Sequence, residues 1–144
     1  MGQKVNAHLI RLQKVFNWDS RWFNEKEYKE TLLEDYKLRE FLLNRLSRSG
    51  IARVEIERSI NSIRIITYVS RPGMVIGRGG TGLEELKKSL TDFFRKSRKG
   101  TPIPKIDIRI EPVKEPSLDS YLVAKNISEQ LIRRLPYKKI LTQN

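Results

Sequence analysis

The chain has 144 residues, of which 38% are apolar and 32% charged, enough hydrophobic material for one ordinary core and too much for a disordered chain. Lysine and arginine number 29 against 17 aspartate and glutamate, a net charge of +12 that favours a polyanionic partner and puts nucleic acid first among partner classes. Without cysteine, with His8 as the single histidine, and with no apolar run of membrane-spanning length, disulfides, thiolate nucleophiles and Cys-based zinc sites are excluded, no metal site is expected, and a soluble protein of the cytoplasm or an organellar matrix is expected.

Residues 1–24 follow neither a helical nor a strand period and read as an irregular basic arm carrying Lys4, Arg11, Lys14 and Arg21 with Trp18 and Trp22. The tryptophans suit either anchoring to the chain's own core or stacking on bases. From Glu25 to Leu46, the residues Tyr28, Leu32, Tyr36, Leu38, Phe41, Leu42 and Leu46 recur at steps of three and four, with an irregular step near Asp35 that suits a kink. This predicts an amphipathic helix closed by Ser49-Gly50. IARVEIERS (51–59) sets Val54 and Ile56 against Arg53, Glu55 and Glu57, and SIRIITYV (62–69) puts Ile63, Ile65, Thr67 and Val69 on one face. The pair predicts a β-hairpin through Ser59–Asn61 with its β-branched face inward.

Pro72 can open a short helix but cannot sit in a central strand, so a helical turn is expected to run into the glycines that follow. Leu83, Leu86, Leu90, Phe93 and Phe94 then form the stripe of a second amphipathic helix, with Lys87, Lys88, Arg95 and Lys96 on its other face. Gly100 and Pro102 end that segment, and KIDIRI (105–110) alternates into a third strand. Beyond Pro112 and Pro116, Ser117 is the expected cap of a last helix whose Leu122, Val123, Ile127, Leu131 and Leu135 face inward. Pro136 should stop it and leave YKKILTQN as a basic tail.

The stretch VIGRGGTGLEEL (75–86) carries two overlapping patterns. Gly77, Gly79 and Gly82 satisfy the G-x-G-x-x-G of dinucleotide sites, while Gly77 to Gly80 satisfy the G-x-x-G of an RNA-binding loop. A dinucleotide site needs a buried strand running into the first glycine and an acidic residue about 20 positions later. Here only Met74-Val75-Ile76 separate Gly73 from Gly77, residues 95–105 hold no carboxylate, and 62 residues follow Gly82. A P-loop fails because no Gly-Lys-Ser/Thr follows.

The shorter pattern fits its surroundings. Helix, strand, strand, short helix, glycine loop, helix, strand over residues 25–111 is the order of a type II KH module, an α+β fold with a three-stranded sheet and its helices on one face. Glycines let the backbone approach a sugar-phosphate chain, and the helix beginning near Gly80 offers free N–H groups and a positive dipole end. Arg78 adds a charge, and bases would lie over an apolar groove lined by Val75, Ile76 and the second strand. Gly82 receives no task in this reading. The plain alternative is a turn that only reverses the chain.

Longer stretches carry a resemblance: Gly2-Gln3-Lys4-Val5-Asn6, Trp18-Asp19-Ser20-Arg21-Trp22-Phe23, Glu34 through Leu42 (EDYKLREFL), Val54 through Arg58 (VEIER), Arg71 through Gly77 (RPGMVIG) and Pro116 through Arg134 (PSLDSYLVAKNISEQLIRR). In that order they resemble the N-terminal portion of the universal small-subunit ribosomal protein S three family, bacterial or organellar type. The resemblance implies a non-enzymatic structural constituent of the small-subunit head, without cofactor. Its partners would be small-subunit ribosomal RNA, messenger RNA where it enters the subunit, and the neighbouring head proteins S ten and S fourteen, with no membrane and no small-molecule substrate.

Carried over by position, the RNA-facing candidates are Gly77, Arg78, Gly79 and Gly80 in the loop, Lys4 and Arg11 in the arm, and Arg133, Arg134, Lys138 and Lys139 toward the end of the chain. The family's association with unwinding of message would rest on this last group. Arg71, Lys87 and Lys88, on either side of the loop, complete the set. The expected organisation is a basic arm (1–24), the KH domain (25–111), and a linker, helix and tail (112–144). The sequence departs from the family in three ways: the second α/β domain into which the family continues past the position of Asn144 is expected to be absent; the two middle loop positions are commonly both basic, against Arg78 and Gly79 here; and Ala7-His8-Leu9-Ile10 stands where a proline and a glycine are usual. A free-standing KH-type RNA-binding regulator acting outside the ribosome is the alternative reading.

Overall fold

β-branched residues at alternate positions build the centre of the molecule. The computed structural model describes residues 2–98 and 103–143; Gly100 and Pro102, expected to end the second long helix, lie outside them. The elements are α1 (Ala7–Ile10), β1 (Ser20–Arg21), α2 (Tyr28–Arg45), β2 (Ile51–Arg58), β3 (Ser62–Val69), α3 (Pro72–Ile76), α4 (Thr81–Ser97), β4 (Lys105–Pro112), α5 (Ser120–Ile132) and α6 (Tyr137–Gln143). Ile63, Ile65, Thr67 and Val69 are all buried, as their period predicts. They meet Leu38 and Leu42 of α2 and Leu86, Leu90 and Phe94 of α4 in one core, with Phe41 and Phe93 in ring contact at 5.4 Å.

The sheet order is β1-β2-β3-β4. β2 and β3 form the expected antiparallel hairpin, with Val54 opposite Thr67 and Ile56 opposite Ile65, whereas β3 and β4 run parallel, with Ile65 opposite Ile108. A parallel pair cannot be joined by a tight turn, so the chain returns through α3, the glycine loop and α4. The α+β architecture and the helix-strand-strand-helix-helix-strand order of a type II KH module are as expected.

Three elements differ from their sequence reading. First, the arm is not irregular throughout. Asn6 caps the short α1 by accepting a hydrogen bond from the His8 amide at 2.9 Å. Ser20–Arg21 adds a fourth strand parallel to β2, supported by the Ile56 amide donating to the Asp19 carbonyl at 2.8 Å. A two-residue strand has no period to detect.

Second, the first half of α2 buries its carboxylates instead of its apolar stripe. Tyr28, Leu32 and Tyr36 are 58%, 45% and 66% exposed, while Glu34 and Asp35 are 7% and 0% exposed. The step at Asp35 is no kink, since α2 continues to Arg45. Asp35 accepts from the Trp22 indole at 2.7 Å, the Ser20 hydroxyl at 3.1 Å and Arg58 Nε at 2.8 Å. Glu34 accepts from Arg58 at 2.7 Å and from Arg98 Nε and Nη2 at 2.8 and 2.7 Å. Two carboxylates thus join the arm, α2, β2 and the residue following α4, and Trp22 serves as an anchor.

Third, the C-terminal region is helical to the end of its described residues. Asp119, not Ser117, caps α5, its carboxylate accepting from the Tyr121 and Leu122 amides at 3.0 Å each; Ser117 sits in a 3₁₀ turn, Pro116–Leu118. Of the expected inward residues only Leu122 is buried, Val123 and Ile127 are half-buried, and Leu131 and Leu135 are exposed. The expected tail forms α6, which buries Ile140.

Buried ion pairs stabilise only while complete, because a lone buried charge loses its hydration without compensation. Burial pushes the Glu34 carboxyl up, but hydrogen bonds from Arg98 and Arg58 outweigh this and hold it below the ordinary carboxylate range. A carboxylate lowered in the folded state stabilises fully above its unfolded pKa, about 4.3, and this stabilisation is lost as pH falls through the folded value. Replacing Glu34→Gln should cost about 2–3 kcal/mol at pH 7 and flatten the decline in stability below about pH 4.3. Thermal unfolding of both proteins between neutral and acid pH checks this; parallel declines would contradict it.

Candidate nucleic-acid interface

Pro72 opens α3 at its first turn, where the missing N–H costs nothing. Val75, expected in a base-binding groove, is 3% exposed and instead pins α3 to the core. A five-residue helix has room to bury one such side chain, so its neighbours face outward: Met74 is 56% exposed and Ile76 39%. The apolar side chains that α3 leaves exposed are therefore Met74 and Ile76.

At Gly77 the chain leaves α3 with φ +70°, and Gly79 and Gly80 follow at φ +61° and +85°, a region that glycine enters without steric cost. The four loop glycines divide into two kinds. A Cβ at Gly79 or Gly80 would meet nothing within 4 Å, so these two serve backbone conformation in open space. A Cβ at Gly82 would lie 2.5 Å from the Val75 carbonyl oxygen, and one at Gly77 would lie 3.0 Å from the Gly82 nitrogen. Gly82, left without a task by the sequence reading, is where the first turn of α4 presses on the end of α3.

The result is a tip, Arg78–Gly80, between two ends in close contact. α4 begins at Thr81, whose hydroxyl donates to the Arg78 carbonyl at 3.1 Å. No side chain caps its N-terminus, where the Thr81 amide donates to the Arg78 carbonyl and the positive end of the helix dipole lies. Arg78 and Gly79 are exposed, and so are Lys87 and Lys88 on α4.

Charge pairing separates this side of the molecule from the other. Among the described residues every ion pair is made by an arginine, and most lie on the outer face of the sheet: Arg21 with Glu57 at 2.6 Å, Arg64 with Glu57 at 3.0 Å and Asp107 at 3.2 Å, Arg109 with Asp107 at 3.7 Å, and Arg53 with Glu55. Those charges cancel locally. Arg78, Lys87, Lys88 and Arg71 enter no ion pair among the described residues, nor do Glu84 and Glu85 on α4, so four cations face two carboxylates and excess positive charge remains around the loop.

Arg71 and Arg133, distant in sequence, share a cleft of 680 Å³ between the start of α3 and α5. Arg48 and Lys125 also line it and escaped the sequence reading, because only the docking of α5 brings them there. Lys4 and Arg11 stand exposed in the arm, where Arg11 donates to the Ala7 carbonyl at 2.9 Å. Arg134 is exposed with a left-handed backbone, φ +59°, and Lys138 and Lys139 are exposed on α6. No hydrogen bond or ion pair among the described residues joins these five to the loop. No group of three or more His, Cys, Asp or Glu among the described residues is placed to hold a metal, and no described helix is long and apolar enough to cross a membrane.

The glycine geometry sets an order of stability. Gly82→Ala should cost about 1–3 kcal/mol by overpacking, whereas Gly79→Asn, in open space and in a conformation asparagine tolerates, should cost less. Urea unfolding of the two variants measures this; a Gly82→Ala protein as stable as the unsubstituted chain would contradict it.

Residues 37–118 match the KH domain family. The chain is 43% identical over 135 residues to small ribosomal subunit protein uS3 of Acetivibrio thermocellus, covering 93% of this chain and 56% of that protein. It is 43% identical over 144 residues to uS3 of Caldicellulosiruptor saccharolyticus, covering 99% and 62%, and 42% identical over 144 residues to uS3 of Geobacter sulfurreducens, covering 100% and 64%. The chain thus spans between 56% and 64% of the length of these relatives. With its element order, its loop and this match over more than half its residues, the chain belongs to the KH domain family and is similar, from the arm through the last helices, to ribosomal proteins uS3.

Proposed function

We propose that the chain is a non-catalytic structural constituent of the small ribosomal subunit, binding ribosomal RNA through the Gly77–Gly80 loop and the basic surface around it. The observation that carries this reading is the loop itself: two left-handed glycines in open space beside Arg78, ahead of an uncapped helix. That arrangement lets a phosphodiester reach backbone N–H groups without a side chain in the way. Similarity to small-subunit proteins extends past the KH domain into the arm and α5, which supports a place in the subunit over a free-standing KH regulator.

The finer reading follows the same residues. The loop, Arg71, Lys87 and Lys88 serve ribosomal RNA, Lys4 and Arg11 reach it from the arm, and Arg133, Arg134, Lys138 and Lys139 serve incoming messenger RNA in the head, with Arg133 standing where the two groups meet, in the cleft it shares with Arg71. Exposed Ile132, Tyr137 and Leu141 on α5 and α6 support packing against neighbouring head proteins, S ten and S fourteen among them. The compartment is that of the ribosome, in the cytoplasm or an organellar matrix.

The chain should co-sediment with small subunits through a high-salt wash; absence from them would overturn the ribosomal assignment. For the isolated chain, Arg78→Asp combined with Gly79→Asp should weaken single-stranded RNA binding without unfolding the domain, and each lost phosphate contact should flatten the log–log salt dependence by about 0.7. A folded variant with an unaltered slope would contradict phosphate contact at the loop.

A further inference from the structure

We infer that the cleft between α3 and α5 is a second phosphate-binding subsite, taking the continuation of an RNA strand seated on the Gly77–Gly80 loop; this rests on the RNA-binding reading above. Three separate parts of the chain converge there. Arg48 comes from the turn after α2, Arg71 from the residue before α3, Lys125 from α5 and Arg133 from the C-cap of α5. Lys125 Nζ donates to the Ser47 carbonyl at 3.5 Å, which draws α5 toward the turn bearing Arg48.

None of these four cations enters an ion pair among the described residues. Glu129, one turn from both Lys125 and Arg133, is the single carboxylate lining the cleft. The contrast with the outer sheet face is sharp, since there arginines and carboxylates alternate and pair. Like charges gathered in a concavity repel one another and focus a positive potential. An anion offsets both effects, and guanidinium groups present fork geometry suited to phosphate oxygens.

The cleft and the loop lie at opposite ends of one short helix. Arg71 immediately precedes α3 and Gly77 immediately follows it, and five helical residues span about 7.5 Å. Met74, exposed between them, lines the cleft and gives a base an apolar surface while its flanking phosphates are held. A KH loop clamps about four nucleotides. A longer strand leaving it along α3 therefore enters the cleft.

Oligouridylates of four and ten nucleotides, titrated into the full chain across a range of salt, separate the subsites. The variant Arg48→Gln with Lys125→Gln should leave the affinity for the four-nucleotide probe unchanged and flatten the salt slope for the ten-nucleotide probe by about 1.4, two contacts at about 0.7 each. Arg48→Gln alone, which keeps the Lys125–Ser47 hydrogen bond, should flatten it by about 0.7. Arg78→Asp with Gly79→Asp should weaken both probes. An unchanged ten-nucleotide slope in both cleft variants, with the loop variant still impaired, overturns the subsite and leaves the loop assignment standing. Equal weakening of both probes by the cleft variants also overturns it, as a diffuse field would act that way. A loop variant that binds both probes like the unsubstituted chain, or no binding by the unsubstituted chain, defeats the underlying RNA-binding reading instead.

Discussion

Parallel pairing of β3 with β4, continuous from Ser62 opposite Lys105 to Val69 opposite Pro112, is the constraint on which the rest of the molecule depends. It obliges the chain to leave one end of the sheet and re-enter at the other, so the segment between must cross a face. Leu86, Leu90 and Phe94 fix α4 across that face, and Val75 fixes α3 beside it. Because Gly82 lets the two helices meet backbone to backbone, the residues between them are pushed outward as a tip with anchored ends. In the proposed role, a loop anchored at both ends meets a phosphate chain with less ordering left to do, which lowers the entropic cost of binding.

Arginine performs two different tasks in this fold. Arg58 and Arg98 neutralise the buried carboxylates of α2, and Arg21, Arg53, Arg64 and Arg109 neutralise the outer sheet face. What remains of the net charge of +12 is thereby displaced toward the loop, the cleft beside α3, and the two ends of the chain. The buried cluster also couples regions of the fold: losing the Glu34 or Asp35 contacts would loosen the arm, the strand it adds and the end of α4 together. A basic protein thus acquires a sidedness that its composition alone does not specify.

The β-hairpin and the stripe of α4 were readable from the sequence because in each the apolar residues themselves face the core, so their period reports burial directly. The first half of α2 was misread for the opposite reason. Glu34 and Asp35 go inside because Trp22, Arg58 and Arg98 meet them, partners 13 to 64 residues away, and no local period encodes such a pairing. Gly82 sits inside a good helical pattern, where its cost relative to alanine was the one available sign that something approaches closely. Val75 and Ile76 could not be ranked in a three-residue apolar run, and α6 was missed because a seven-residue segment burying one isoleucine shows almost no period. At the site, the G-x-x-G loop was legible once the element order had excluded the longer glycine pattern; Arg48 and Lys125 were not, since their convergence exists only after α5 has docked.

Amide hydrogen exchange, compared for the chain alone and with single-stranded RNA, tests most directly whether the loop backbone meets RNA. The expected result is added protection across Gly77–Leu83, with the outer-face residues of β2 and β3 unchanged. Protection on that sheet face with none across Gly77–Leu83 would contradict it.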